Sequence, residues 1–574
     1  MKVRVPLMIQ DPLMAKYKEI EPTEGFDIVE EDFFLDGPVT RRVAVLDFDS
    51  ETGDLLPGVH FLPPPPGRKL GKYDIKDDTD VRSQDFIQVN VFATALKTMY
   101  MFEKEDTLGR TLSWAFDSPQ LLIVPRAGQW INAYYERDSH SLQLFYFNDP
   151  RYPDDPDRKI FTCLSRDIIA HETGHAILDG IAPDLYDAIT PQSLALHEAI
   201  ADLTALLMAF QSHTLRRVVL GHTNGSIKNS TAFSLVAEEF GKACDPDTIV
   251  GSLRNLKNEK NLIPGDPHCV TRNEPHELSE VLSGALYTVM VKIHEKLKEE
   301  YAGGDPNKKF SVSGKALAVG ANRFKCIIFR ALDYLPPGEV SFADYGRAII
   351  AADQASYPDD EQERKWIQEE FVKRNMVLNK EALEVKTNFE YLPLTTVDLQ
   401  MLVNSDWAAY EFANKNREFL CIPQGSEDQP DVPFKVRPRL DVTKLYYHRD
   451  GKHKVRECLF KVSWDQVELN QMGPRYPDQR PITVGTTLAI DWDTKKVRAL
   501  LTSDHSKRPE ELHEQQKDRD QMLCRLADEG VLRLGNHVFG PDNKPLRSVI
   551  SAESTHGLMR VHGAARMLHI TRGL

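Results

Sequence analysis

The segment His171-Glu172-Thr173-Gly174-His175, followed shortly by His197-Glu198-Ala199-Ile200-Ala201-Asp202, restricts this chain more than anything else in it. On a helix, positions i and i+4 project from nearly one face, so His171 and His175 can offer both imidazoles to one metal ion. Glu172 lies beside them and can polarise a water without being a ligand itself. A catalytic zinc takes three protein ligands and keeps one position open. Glu198 can supply the third from the next helix if that helix returns antiparallel against the first. Asp202, one turn later, shares the face of Glu198 and can accept the second N–H of a ligand histidine, which fixes its tautomer. The expectation is a pair of packed helices over about 164–211, with His197 on the solvated side of the second.

The rest of the chain is organised around that pair. Residues 1–85 read as short strands and loops, with a stiff connector at Pro63–Pro66. Helical spacing runs over Val89–Glu105, then two strand-like stretches follow, Leu121–Val124 and Trp130–Phe147. Further helices are expected over Ser279–Leu297, Ser313–Leu332, Phe342–Ala355, Glu361–Arg374 and Leu394–Arg417. Strands return after that, with hairpin signals at Asp450-Gly451 and around Asp493, and one polar helix at Pro509–Asp528. Three regions follow: an N-terminal β and loop segment at 1–85, a metal-bearing domain at 86–378, and a separate, mainly β domain at 379–574.

Composition narrows the partners. Asp and Glu number 86 against 71 Lys and Arg, a formal charge of −15, which argues against nucleic acid or an anionic membrane as the main partner. No run of about 18 apolar residues is expected to cross a bilayer, and the N-terminus lacks the pattern of a secretory signal. Seven cysteines without a CxxC pair read as scattered thiols, so the expected compartment is the cytoplasm.

Several further stretches stand in a telling order: Asn132-Ala133-Tyr134-Tyr135, Asp167–Ile177 (DIIAHETGHAI), Tyr186, Ser252-Leu253-Arg254, His276 in PHELSEVLSGALY, and Phe329–Pro358. Together with HExxH and HExxxD they make residues 85–378 resemble thermolysin and its relatives, zinc endopeptidases of the gluzincin type. The resemblance implies an α+β fold with a thermolysin-like catalytic core and a mainly helical second lobe. It implies one catalytic Zn2+ on His171, His175 and Glu198, with Glu172 as general base and Asp202 behind the ligands. Tyr186 and His276 match the residues that stabilise the oxyanion, and Asn132, Ala133 and Arg254 match those that bind substrate backbone. Ile168 and Leu253 match positions of the pocket for the residue after the scissile bond, implying a bulky apolar preference there. The implied partner is a peptide or protein substrate.

The chain departs from that family in two places. The family's calcium cluster uses a Glu eleven residues after the third ligand, where Ala209 stands, and Gln211–Leu220 carries no carboxylate, so no calcium cluster is expected. The aspartate that orients the family's histidine is replaced by Thr271, leaving Glu274 as the candidate partner of His276. Three other readings share the motif, one of them an inactive precursor that needs removal of 1–85 or of 380–574. A gluzincin aminopeptidase would carry a GxMEN segment, which is absent, and a zinc-bearing interaction protein would not need Glu172.

Overall fold

The computed structural model describes residues 2–29, 33–49, 51–77, 79–155, 158–229, 231–244, 252–386, 394–425, 430–448, 451–534 and 550–562. In the first strand, Lys2–Met8, Lys2, Arg4 and Pro6 alternate with Val3, Val5 and Leu7, which are buried. It pairs antiparallel with Thr23–Val29 and parallel with Leu70–Tyr73. That apolar face lies on helix α1 (Gln84–Glu103), which is capped by the Ser83 hydroxyl and buried along almost its whole length.

A second four-stranded sheet runs in the order Val43–Val45, Leu121–Val124, Ser141–Leu144, Ala133–Glu136. Ala133–Glu136 is therefore an edge strand. The division expected at residue 85 needs correction here. Val43–Val45 belongs to the same sheet as Leu121–Val124, because a buried three-residue apolar strand is satisfied only by pairing inside the larger sheet.

Helices α2 (Arg166–Ile181), α3 (Pro191–Gln211), α4 (His213–His222) and α5 (Glu238–Cys244) follow. Beyond them come α6 (Pro275–Ala302), α7 (Lys309–Tyr334), α8 (Phe342–Ser356) and α9 (Gln362–Lys373). α3 runs through the centre of this group. It is long and apolar enough to cross a membrane, contrary to the expectation that no segment would be, but it is buried throughout and serves as a core helix.

The single helix expected over Leu394–Arg417 is two, α10 (Leu399–Asn404) and α11 (Asp406–Lys415). Ser405 separates them with extended backbone, and its hydroxyl accepts the Ala408 N–H that starts the second. An eight-stranded sheet follows, centred on Gly451–Leu469 paired antiparallel with Gln479–Asp491. Leu440–His448 pairs with Gly451–Leu469; Asp450 itself lies outside the described residues. Helix α12 (Pro509–Asp528) stands where the residue spacing predicts it.

The C-terminal region, expected as a domain of its own from 379, has one core cluster of its own and contributes further side chains to the core of the preceding region. Side chains alternate across a strand, so Gly451–Leu469 has two apolar faces. Cys458, Phe460, Val462 and Trp464 face a cluster with α10 and α11. Leu459, with Val442, Tyr446 and Ala489, joins the cluster that fills the rest of the molecule. Buried polar ties follow the same seam. Lys444 pairs with Asp333 at 2.8 Å, and the Tyr334 hydroxyl donates to Glu457 at 2.8 Å.

Candidate metal centre

α2 and α3 approach at backbone distance. A Cβ on Gly174 would lie 3.2 Å from Cα of Ala201 and 3.2 Å from Oγ1 of Thr204, so glycine keeps the two helices close. The N-terminal end of α2 is fixed by buried Arg166, which donates to the carbonyls of Ile9 and Met208 and to Glu24 at 2.7–2.8 Å.

The structure brings His171, His175 and Glu198 together. The two Nε2 atoms are 3.0 Å apart. Glu198 Oε2 lies 3.6 Å from Nε2 of His171, and Oε1 lies 3.5 Å from Nε2 of His175. Three donors at 2.0–2.1 Å from a common tetrahedral centre would stand about 3.3 Å apart, so the spacing suits one such ion. Asp202, fully buried, sits behind His171 with Oδ1 at 3.1 Å from Nδ1, at an angle short of a straight hydrogen bond.

Charge is arranged to favour a cation at that point. Burial alone would push the His171 imidazole down, but Asp202 and Glu198 outweigh it and hold it at about 10. Burial would raise Glu198, yet Arg254, His175 and His276 keep its carboxyl well below the usual range. Glu172 is pushed up to about 8, by burial first and by Glu198 second. Acids thus draw positive charge onto the histidines, and a bound cation would satisfy the same field.

Glu172 hangs from the edge strand: its Oε2 accepts the Tyr135 backbone N–H at 3.1 Å. The Tyr135 carbonyl is taken by the Tyr186 hydroxyl at 3.1 Å, so Tyr186 lies buried under the strand, packed against the rings of Tyr135 and His197. Ala133 N–H is held by the side-chain oxygen of Asn132 at 2.9 Å, while the buried Nδ2 of Asn132 has no protein partner. Arg254 is buried and divides its guanidinium between Asp202 Oδ1 and Glu198 Oε2, each at 2.7 Å. His276 sits in the first turn of α6, which begins at Pro275 rather than at the expected Ser279, because Glu274 caps it and proline suits its first position. Nδ1 of His276 is 3.0 Å from Glu274 Oε1, and Nε2 is 3.8 Å from Glu198 Oε1. Ile168 is buried, and Leu253 is 47% exposed.

The chain matches no protein-family model and no curated protein.

His197 is a correction. It does not face solvent; it is fully buried, with Nδ1 2.6 Å from Nδ1 of the candidate ligand His175 and the rings stacked. One of these nitrogens must donate, so His197 sets the tautomer of His175 as Asp202 braces His171. The signal was present in the sequence: α3 is apolar on every side, with Leu194, Leu196, Ala199, Ile200 and Leu203 around it, so no solvated side exists. The hold of Tyr135 on Glu172 is a backbone contact and leaves no residue signature.

A second group with metal-ligand chemistry, Asp344, His505 and Glu511, lies where α8 meets the C-terminal region. Its acids are already compensated. Arg347 reaches Asp344 at 2.7 Å and Glu511 at 2.5 Å, Arg508 reaches Glu511 at 3.2 Å, and His505 lies 3.0 Å from Asp344. It is a charge network that fastens the two regions.

Proposed function

We propose that the protein is a zinc-dependent endopeptidase with a thermolysin-like catalytic core. One observation carries the reading: two histidines and a glutamate converge at tetrahedral spacing beside a second glutamate held by the backbone of a sheet's edge strand. A zinc ion held by His171, His175 and Glu198 would supply Lewis acidity toward water and the scissile carbonyl.

The chain's own residues do the rest. An extended substrate lies along Ala133–Glu136, where the Asn132 amide is free to donate to a substrate carbonyl. Glu172, with Oε2 held by Tyr135, uses its other oxygen to take a proton from the attacking water and pass it to the leaving nitrogen. His276, steadied by Glu274, presents Nε2 to the negative charge developing on the carbonyl oxygen. Tyr186 reaches that oxygen only by releasing the Tyr135 carbonyl, so in this reading it first serves to hold the strand. By the family resemblance alone, Ile168 and Leu253 imply a preference for a bulky apolar residue after the scissile bond.

The test is cleavage of a random peptide library by zinc-loaded protein beside Glu172→Gln. The expected result is cleavage before bulky apolar residues by the wild type. The variant should keep its zinc and lose on the order of 10²–10⁴-fold in rate, because an amide cannot accept the proton. Equal rates in both would overturn the reading.

A further inference from the structure

We propose that α12, acting through Arg272, is a positioning element of the catalytic site that holds His276 against the metal ligands. This rests on the peptidase reading for its meaning, and on independent contacts for its geometry.

The segment that delivers His276 has little burial of its own. Thr271 is exposed and Arg272 and Asn273 are half-buried, and these two form a turn before Glu274 caps α6. Its hold comes from α12. Arg272 meets Glu514 at 2.5 Å and Asp518 at 3.6 Å, and Arg525 donates to the Asn273 carbonyl at 3.1 Å. Positions 514, 518 and 525 share one face of a helix, so a single rigid rod makes all three contacts. Met522, Leu523 and Leu526 bury its other side in the main core.

The same rod also touches the metal-ligand helix. Arg519 donates to Oγ1 of Thr190, the residue that starts α3, at 2.8 and 3.0 Å. α12 therefore ties the turn before α6 to the start of α3, in addition to the direct packing of α3 on α6. His276 is one residue into α6, at the end this tie holds, and Glu198 is two turns into α3. On this account the C-terminal region is part of the working site and not a cap to be cleaved away.

The experiment compares Arg272→Met, Arg272→Lys, His276→Ala and the Met/Ala double variant of the full chain. Zinc content, kcat and KM on a peptide substrate, and the ring signals of isotope-labelled histidine are measured, with His276 assigned by its loss in His276→Ala. Arg272→Met should keep its zinc and KM while kcat falls about tenfold, a penalty expected of a slight misplacement. Arg272→Lys should recover most of that. In the His276→Ala background the Met change should cost less than about twofold, since residues that act as a unit are not additive. The His276 ring signal should shift in Arg272→Met. An unmoved signal, or the full tenfold loss in both backgrounds, would overturn the proposal. Absence of hydrolysis in every form, with the signal still moved, would remove the peptidase reading and leave the tether standing.

Discussion

The wall of the site that carries His171, His175 and Glu198 consists of two helices pressed so closely that Gly174 has little room for a methyl group, and every ligand is backed by a buried partner. The wall that carries His276 begins in a half-exposed turn whose ties are ion pairs and a carbonyl contact made by a helix 252 residues further along the chain. Apolar packing resists displacement steeply, because interiors are as dense as organic crystals. Ion pairs near the surface hold more loosely and weaken with salt. In the proposed reading, three metal ligands must hold their spacing to a few tenths of an ångström, whereas a histidine that meets charge during a reaction tolerates more play. The two means of support suit those two demands.

The largest effect should come from the first wall. His171→Ala or Glu198→Ala should abolish tight zinc binding, a loss beyond the roughly 10–100-fold typical of removing an outer partner. Metal analysis of the purified variants checks this, and undiminished zinc in either would show that the ligands lie elsewhere.

Next, Gly174→Val should pry α2 from α3. Its side chain would meet Ala201 and Thr204 at contacts already tight for a single Cβ, an overpacking cost of about 1–3 kcal/mol. Thermal unfolding should shift down by several degrees and zinc affinity should fall with it. Arg272→Met, on the second wall, should leave both nearly unchanged. Equal shifts in the two variants would erase the contrast between the walls.

The smallest effect is expected from calcium. Ala209 and the carboxylate-free Gln211–Leu220 lack the acids that a calcium cage there would use, and Asp167 is engaged by the Gln10 amide at 3.4 Å. The melting temperature of the zinc-loaded protein should be the same in excess calcium and after its removal, because only ligands that bind the folded state stabilise it. A rise of roughly ten degrees would mean several kcal/mol of linkage and a calcium site built from other carboxylates.

What the sequence made legible follows the same division. α2, α3 and α12 lie close to where apolar periodicity and capping residues put them, because those signals act within a few turns. The convergence of His171, His175 and Glu198 was legible because two neighbouring helices carry all three. The partner of His276 was readable as Glu274, only two residues away. What could not be read depends on distant pairings: Val43–Val45 joining the sheet of Leu121–Val124, Leu459 and Ala489 completing a core begun hundreds of residues earlier, and α12 reaching Thr190. His197 lies between these cases. Its burial followed from an all-apolar helix, but a charged motif beside it suggested solvent.

The tie between Arg519 and Thr190 spans 329 residues, and this sets the order of events when the protein is made. At ribosomal speeds of about 5–20 residues per second, roughly 15 to 65 seconds separate the synthesis of one partner from that of the other. For most of that interval α2 and α3 have been made, while α12, which ties the start of α3 to the turn before α6, has not. In a nascent chain the three candidate ligands on α2 and α3 can therefore come together before the turn that carries His276 is tied down.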